Sequence, residues 1–240
     1  MSETTEMIMT EATEVIMTEA TRATTFFNEH QRATVEAAMA RVIPTDDLPG
    51  AREAGTVDFV DRYLSGIDYI YAKPDGSGFE SLSGRSAAAW QRRVDLARQK
   101  YVDGVRELDD RAQALAGEDF LGLTETQQDL ILTELERGVE PGPELAKPEV
   151  PYGIEPALQQ TNAESELDFF PLLVTHTRQG FLSDPIYGGN RDRIGWQVIG
   201  FPGPASLADV HSGRYTTVDY FADDRHHPHQ PGQQGQEDRS

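Results

Sequence analysis

The stretch WQRRVDLARQKYVDGVRELDDRAQAL, residues 90–115, decides the fold class. Its apolar side chains recur at alternating steps of four and three residues, and charged side chains fill most of the intervals. The apolar positions are Trp90, Val94, Ala97, Tyr101, Val105, Leu108, Ala112 and Leu115. A narrow apolar stripe at this spacing predicts one long amphipathic helix, which we expect to end near Gly117.

Two shorter helices are predicted upstream of this stretch. Asn28 followed three residues later by Gln31 is a capping box, and it predicts a helix that Pro44 stops. Apolar side chains at three- and four-residue steps predict a second helix over residues 57–67.

Helical spacing also continues downstream. Thr124 and Gln127 form a second capping box, which predicts a helix that Gly138 closes. A last helix is predicted from Phe169, with Gly180 as its C-cap. Since almost no stretch alternates as a strand would, we expect an all-α fold: an irregular helical bundle with a long Gly/Pro/aromatic loop region near its C-terminal end and flexible termini.

Composition excludes several classes of function. The 240 residues include 41 acidic and 21 basic side chains, for a formal net charge of −20, which opposes binding to nucleic acid or to an anionic membrane. Cysteine is absent, so thiolate metal sites and cysteine nucleophiles are excluded. Neither a phosphate-binding loop, a G-x-S-x-G elbow nor a membrane-spanning apolar run occurs. We therefore predict no catalytic residue, cofactor site or metal site in this chain, and no membrane insertion.

The pattern divides the chain into three parts. Residues 1–25 repeat IMTEAT in a Thr/Glu-rich stretch, which is expected to be flexible or to form a weak docking helix. Residues 26–204 form the predicted helical domain, with a proline-rich linker or arm at 141–156. Residues 205–240 are a predicted extension with a disordered end. Because no export signal is readable, a cytoplasmic location is expected, with the periplasm as the alternative.

Residues 184–203, DPIYGGNRDRIGWQVIGFPG, are the most unusual part of the chain. Loops that display aromatic and Arg side chains beside glycine are typical of protein interfaces. The predicted partner interface comprises Tyr187, Gly188, Gly189, Asn190, Arg191, Trp196, Phe201, Pro202 and Gly203. The alternative is that the aromatic side chains fold inward and cap the bundle.

Among the six histidines, His176 is the one placed to face this loop, one turn after Leu172. We expect it to hydrogen-bond the loop backbone. The alternative is a metal-dependent enzyme that uses His176 with Asp168 or Asp184. The histidines of the polar tail, His226, His227 and His229, have no rigid scaffold that would define a metal site.

Two blocks of this sequence resemble a known family. The first runs from Phe169 or Phe170 through Gly203 and contains YGGN, GW and IGFPG; the second runs from Asn28 to Gly55 and contains NEHQ and RVIPTDDLPG. Both are similar to the gluconate 2-dehydrogenase small (gamma, subunit 3) family, and the similarity runs over roughly residues 26–203.

The resemblance implies an all-helical accessory subunit without an active site of its own. Members of the family associate with a large flavoprotein of the glucose–methanol–choline (GMC) type, which holds FAD and oxidises a sugar or sugar acid, in some cases at the 3-position. In some complexes a cytochrome c accepts the electrons. The small subunit is implied to support maturation of the flavoprotein, and the alternative role is a transient assembly or export chaperone. Many relatives begin with a twin-arginine signal, from which this sequence departs.

Overall fold

The computed structural model describes residues 25–138 and 164–215. The α-helices there include α1 (Glu29–Val42), α2 (Thr56–Ser65), α3 (Gly84–Ala116), α4 (Glu125–Gly138), α5 (Phe169–Leu182), α6 (Ile194–Val198) and α7 (Leu207–His211), and residues 164–166 are also helical. Single 3₁₀ turns lie at Ile67–Tyr69, Phe120–Gly122, Pro185–Tyr187 and Arg191–Arg193. These two ranges contain no strand beyond one isolated antiparallel bridge between Ala72 and Phe79. The predicted all-α irregular bundle is confirmed.

Several predicted helix ends are present. Asn28 and Gln31 form both halves of the capping box at the start of α1, which ends at Val42 ahead of Pro44. Gly117 closes α3 in the left-handed conformation, with φ 76°, as a C-cap glycine does. The Thr124 backbone N–H donates to Gln127 Oε1 at 2.9 Å at the start of α4. Local capping chemistry therefore determines these boundaries.

Two boundaries differ from the prediction. The long helix α3 begins at Gly84, six residues before Trp90, because the intervening alanines favour helix although they add nothing to the apolar stripe. Helix α2 ends at Ser65 because Gly66 adopts an extended conformation, and Ile67 starts a separate 3₁₀ turn.

The prediction that Gly180 caps the last long helix is wrong. Helix α5 continues to Leu182, and Ser183 is its C-cap. Gly180 lies on the face of α5 that packs against α2, where a Cβ would come within about 3 Å of Thr56 and Phe59. The glycine is therefore used for close helix packing.

The core lies where α3 crosses the other long helices. Six of the eight stripe positions of α3 are buried, from Val94 to Ala112, whereas Trp90 is half-buried and Leu115 is exposed. The buried partners of α3 come from α1, α2, α4 and α5, and from the 3₁₀ turn after α3. They include Val35, Met39, Val60, Leu64, Phe120, Ile131, Leu172 and Leu173.

Within the described residues, no helix combines the length and apolarity needed to cross a bilayer. The predictions for the N-terminal repeat, for the proline-rich residues 141–156 and for the histidines at 226, 227 and 229 fall outside the described residues. The three-part division of the chain stays a prediction.

Candidate functional site

A buried amide side chain, that of Asn190, helps to hold the segment after α5 in place. The Asn190 side chain is fully buried; its Nδ2 donates to the Ser183 carbonyl at 2.8 Å and its Oδ1 accepts from the Gly195 N–H at 2.8 Å. Asn190 itself has a positive φ of 48°, which asparagine tolerates better than most residues. This one side chain therefore joins the end of α5 to the start of α6.

Trp196 points inward from α6. It is 6% exposed, and its indole N–H donates to the Leu182 carbonyl at 2.8 Å. Phe201 meets its ring edge-on at 5.4 Å between centroids, and Gly203 lies against the indole. The alternative, in which aromatic side chains fold inward, therefore describes Trp196. Trp196 and the buried Asn190 together brace the segment from within.

Other residues of the predicted interface reach the surface. Arg191 has a side chain that is 57% exposed and ion-pairs with Asp58 at 2.8 Å, and Pro202 is exposed. Tyr187, Gly188, Phe201 and Gly203 are half-buried, whereas Gly189 is buried. Contact of these nine residues with a partner stays a prediction.

Beside Tyr187 the surface opens into a cleft of about 640 Å³. It lies between α2, the start of α3 and the end of α5. Aromatic side chains dominate its lining: Phe59, Tyr63, Tyr69, Tyr71, Trp90 and Tyr187. Its charged lining residues are Arg62, Arg93 and Glu164.

A network of buried, hydrogen-bonded polar side chains runs from this cleft into the core. Arg93 ion-pairs with Glu164, and their side chains are only 14% and 11% exposed. Glu164 also accepts from the Nε2 nitrogen of His176 at 2.5 Å, and Nδ1 of His176 lies 3.0 Å from the Tyr101 hydroxyl. His176 is 1% exposed. This hydrogen-bonded network around His176 thus joins α3 and α5 to the residues just before α5 that include Glu164.

The prediction that His176 bonds the loop backbone is wrong. Its helix position turns the ring toward α3, so both ring nitrogens are engaged by the side chains of Tyr101 and Glu164. Asp184 instead accepts from the Ile186 N–H at 2.9 Å, and Asp168 occupies the N-cap position of α5. The described residues contain no group of three or more His, Asp or Glu side chains arranged for a metal ion.

Sequence reasoning missed Arg93 and Glu164. Arg93 lies one helical turn after Trp90, next to the apolar stripe, and its guanidinium stacks over the indole at 4.5 Å from the ring centroid. A charged residue beside the stripe was a usable signal for Arg93. Glu164 comes from a distant part of the chain, and nothing in its own neighbourhood distinguishes it from a surface glutamate.

Burial determines the ionisation of the hydrogen-bonded side chains around His176. Desolvation, reinforced by the Arg93 guanidinium, lowers the pKa of His176 to about 3, although Glu164 is adjacent, because that carboxylate is already paired with Arg93. Burial also raises the pKa of the Tyr101 hydroxyl. A neutral His176 with a proton on Nε2 therefore donates to Glu164 and accepts from Tyr101.

Acid is expected to destabilise the fold through His176. The unfolded chain protonates this histidine near its ordinary pKa of 6.5, whereas the folded chain does so only near 3, so unfolding takes up a proton between these values. The free energy of unfolding should fall by about 1.4 kcal/mol per pH unit as pH decreases through this window, in addition to other groups. Urea denaturation at pH 7, 6 and 5 measures it. In His176→Gln, the slope of the unfolding free energy against pH should be smaller by the contribution of one proton. An unchanged slope would contradict the assignment.

The fold and its site define an all-helical domain whose long helices converge on a buried histidine and whose C-terminal glycine- and aromatic-rich segment is pinned beside an aromatic cleft. Residues 29–203 match the family model of gluconate 2-dehydrogenase subunit 3, and the chain belongs to this family. Comparison with curated proteins gave no significant match, and comparison with solved structures gave none. The family assigns the chain to a dehydrogenase complex, in association with other subunits.

Proposed function

We propose that this chain is a noncatalytic small subunit that binds and stabilises a large FAD-dependent GMC-type sugar or sugar-acid dehydrogenase. The observation that carries the proposal is the family match over residues 29–203, which includes both the core helices and the glycine- and aromatic-rich segment. FAD belongs to the large subunit in this proposal, and a cytochrome c is a proposed electron acceptor. The sugar position that is oxidised and the location of the complex stay predictions.

The described surface supports a binding role. Arg191 and Pro202 project from a segment that buried Asn190 and Trp196 hold rigid, so little conformational freedom is lost when a partner binds there. Exposed Arg side chains on rigid loops are frequent interface hot spots. The support provided by Trp196 also means that replacing it tests the fold of the segment more than the contact itself.

Arg191→Ala is expected to weaken the complex by about 2 kcal/mol, or about 30-fold in Kd, if Arg191 is an anchor of the contact. The control is Arg106→Ala, which removes another exposed arginine that pairs with an aspartate, on the outer face of α3. Each variant is co-expressed with the large flavoprotein subunit, captured by a tag on the small subunit, and the retained partner is quantified. Equal retention by the two variants would contradict the interface assignment.

A further inference from the structure

The aromatic cleft beside Tyr187 has the dimensions and lining of a small-molecule site. Its volume of about 640 Å³ lies within the range of roughly 300–1,000 Å³ that ligand pockets occupy. Aromatic rings line several sides, and Ile70 and Leu182 add apolar surface at its edges. A cleft of this lining favours a flat conjugated ring, which stacks on or meets the edges of the surrounding rings.

Two tyrosine hydroxyls belong to residues that line this cleft, Tyr71 and Tyr187. The Tyr71 hydroxyl accepts from the Trp90 indole N–H at 3.2 Å, and the Tyr187 hydroxyl accepts from the Ala72 backbone N–H at 3.3 Å. A phenol that accepts one hydrogen bond retains its own O–H as a donor. The described part of the chain supplies no acceptor for either O–H group, so both favour a ligand that carries acceptor oxygens.

The charged side chains that line the cleft carry one more positive than negative charge. Arg93 and Glu164 neutralise each other, whereas Arg62 makes no ion pair with any carboxylate of the described residues. Arg62 donates to the Ile186 carbonyl at 2.7 Å and lies over the Tyr69 ring, 5.7 Å from its centroid. One guanidinium at the aromatic cleft therefore has no described carboxylate within 4 Å, although Asp58 and Asp61 line the pocket on its other side.

We propose that this cleft binds a flat aromatic monoanion, such as an aromatic carboxylate, with its ring among Tyr69, Tyr71 and Trp90 and its negative charge toward Arg62. The aromatic lining accounts for the ring, the two phenol O–H groups account for acceptor oxygens, and the Arg62 guanidinium accounts for a single negative charge. The site does not depend on the proposed partner, since every group named belongs to this chain.

A matched pair of probes tests the proposal on the purified full-length chain. 2-Naphthoate carries the ring and the charge, and 2-naphthamide carries the same ring with a neutral amide. Isothermal titration calorimetry in 0.15 M salt is expected to show 2-naphthoate binding at a single site at least fivefold more tightly than 2-naphthamide. Failure of both probes to bind, or equal affinity for the two, would overturn the proposal.

Two variants locate the binding. Arg62→Gln should remove the preference for naphthoate over naphthamide, and Tyr71→Ala, at a side chain that is 44% exposed, should weaken both probes at least fivefold. The control is Leu130→Ala, which shortens an exposed side chain on α4 and should leave both affinities unchanged. Melting temperatures establish that each variant is folded. If naphthoate binds Arg62→Gln and Tyr71→Ala as it binds the wild type, the anion lies elsewhere and the assignment of this cleft is wrong.

Discussion

Replacing Glu164 with glutamine is expected to lower the free energy of unfolding by about 3 kcal/mol, as removal of one partner from a buried ion pair does. Glu164 is the only described carboxylate that contacts the Arg93 guanidinium, and both side chains are almost entirely buried. Without that carboxylate, a buried positive charge has no counter-ion. The amide still accepts from His176, so the loss reports mainly on the charge of Glu164.

Chemical denaturation of Glu164→Gln, Arg93→Met and the double variant measures this effect. The double variant should be more stable than Glu164→Gln alone, because no unpaired charge remains buried. Glu134→Gln is the matched control, since Glu134 faces Arg111 at 3.5 Å on the surface with 64% of its side chain exposed. A loss for Glu164→Gln no larger than that for Glu134→Gln would show that the buried pair does not stabilise the fold.

Gly195→Ala is expected to cost about 3 kcal/mol of stability, at the upper end of the usual penalty for overpacking. A Cβ at this position would overlap the carbonyl oxygen of Phe181, near the end of α5. That oxygen belongs to helix backbone and has no side-chain torsion through which it could move away. Gly195 is also tied to Asn190 through its backbone N–H, so α6 has little freedom to retreat.

Thermal and urea denaturation of Gly195→Ala measure the loss, and capture of the partner measures whether the segment still binds. Gly138→Ala is the control, because a Cβ at Gly138 meets no atom of the described residues within 4 Å. Gly195→Ala should lose both stability and partner retention, whereas Gly138→Ala should lose neither. A Gly195→Ala protein with wild-type stability would mean that α6 is not packed on the end of α5.

The helices were predictable because their signals are local. The capping boxes at Asn28 and Thr124 lie within four residues of sequence, and the apolar stripe of α3 is a property of one segment. The glycine that caps α3 was predictable for the same reason. The error at Gly180 arose because a glycine near a helix end serves equally well as a C-cap or as a close packing contact, and only the position of α2 distinguishes the two.

The site was less predictable because it depends on contacts between distant residues. The glycine- and aromatic-rich segment was recognisable as unusual, yet the inward direction of Trp196 follows from its hydrogen bond to Leu182. Likewise, the roles of Arg93 and Glu164 follow from a pairing that crosses 71 positions of sequence. Such pairings leave no periodic trace, so only the tertiary structure shows that His176 has both nitrogens occupied.

The central claim, that this chain is a small subunit which stabilises a flavin-dependent dehydrogenase, is tested most directly with the wild-type chain. The large flavoprotein subunit is expressed with and without it, and size-exclusion chromatography is monitored at the flavin absorbance band, with dye reduction assayed against a panel of sugars. The account predicts co-elution of the two chains with flavin and a higher yield of sugar-dependent activity. A flavoprotein whose yield and activity do not change, with this chain eluting alone, would contradict it. A raised yield without co-elution would instead identify a transient chaperone and contradict the permanent-subunit assignment.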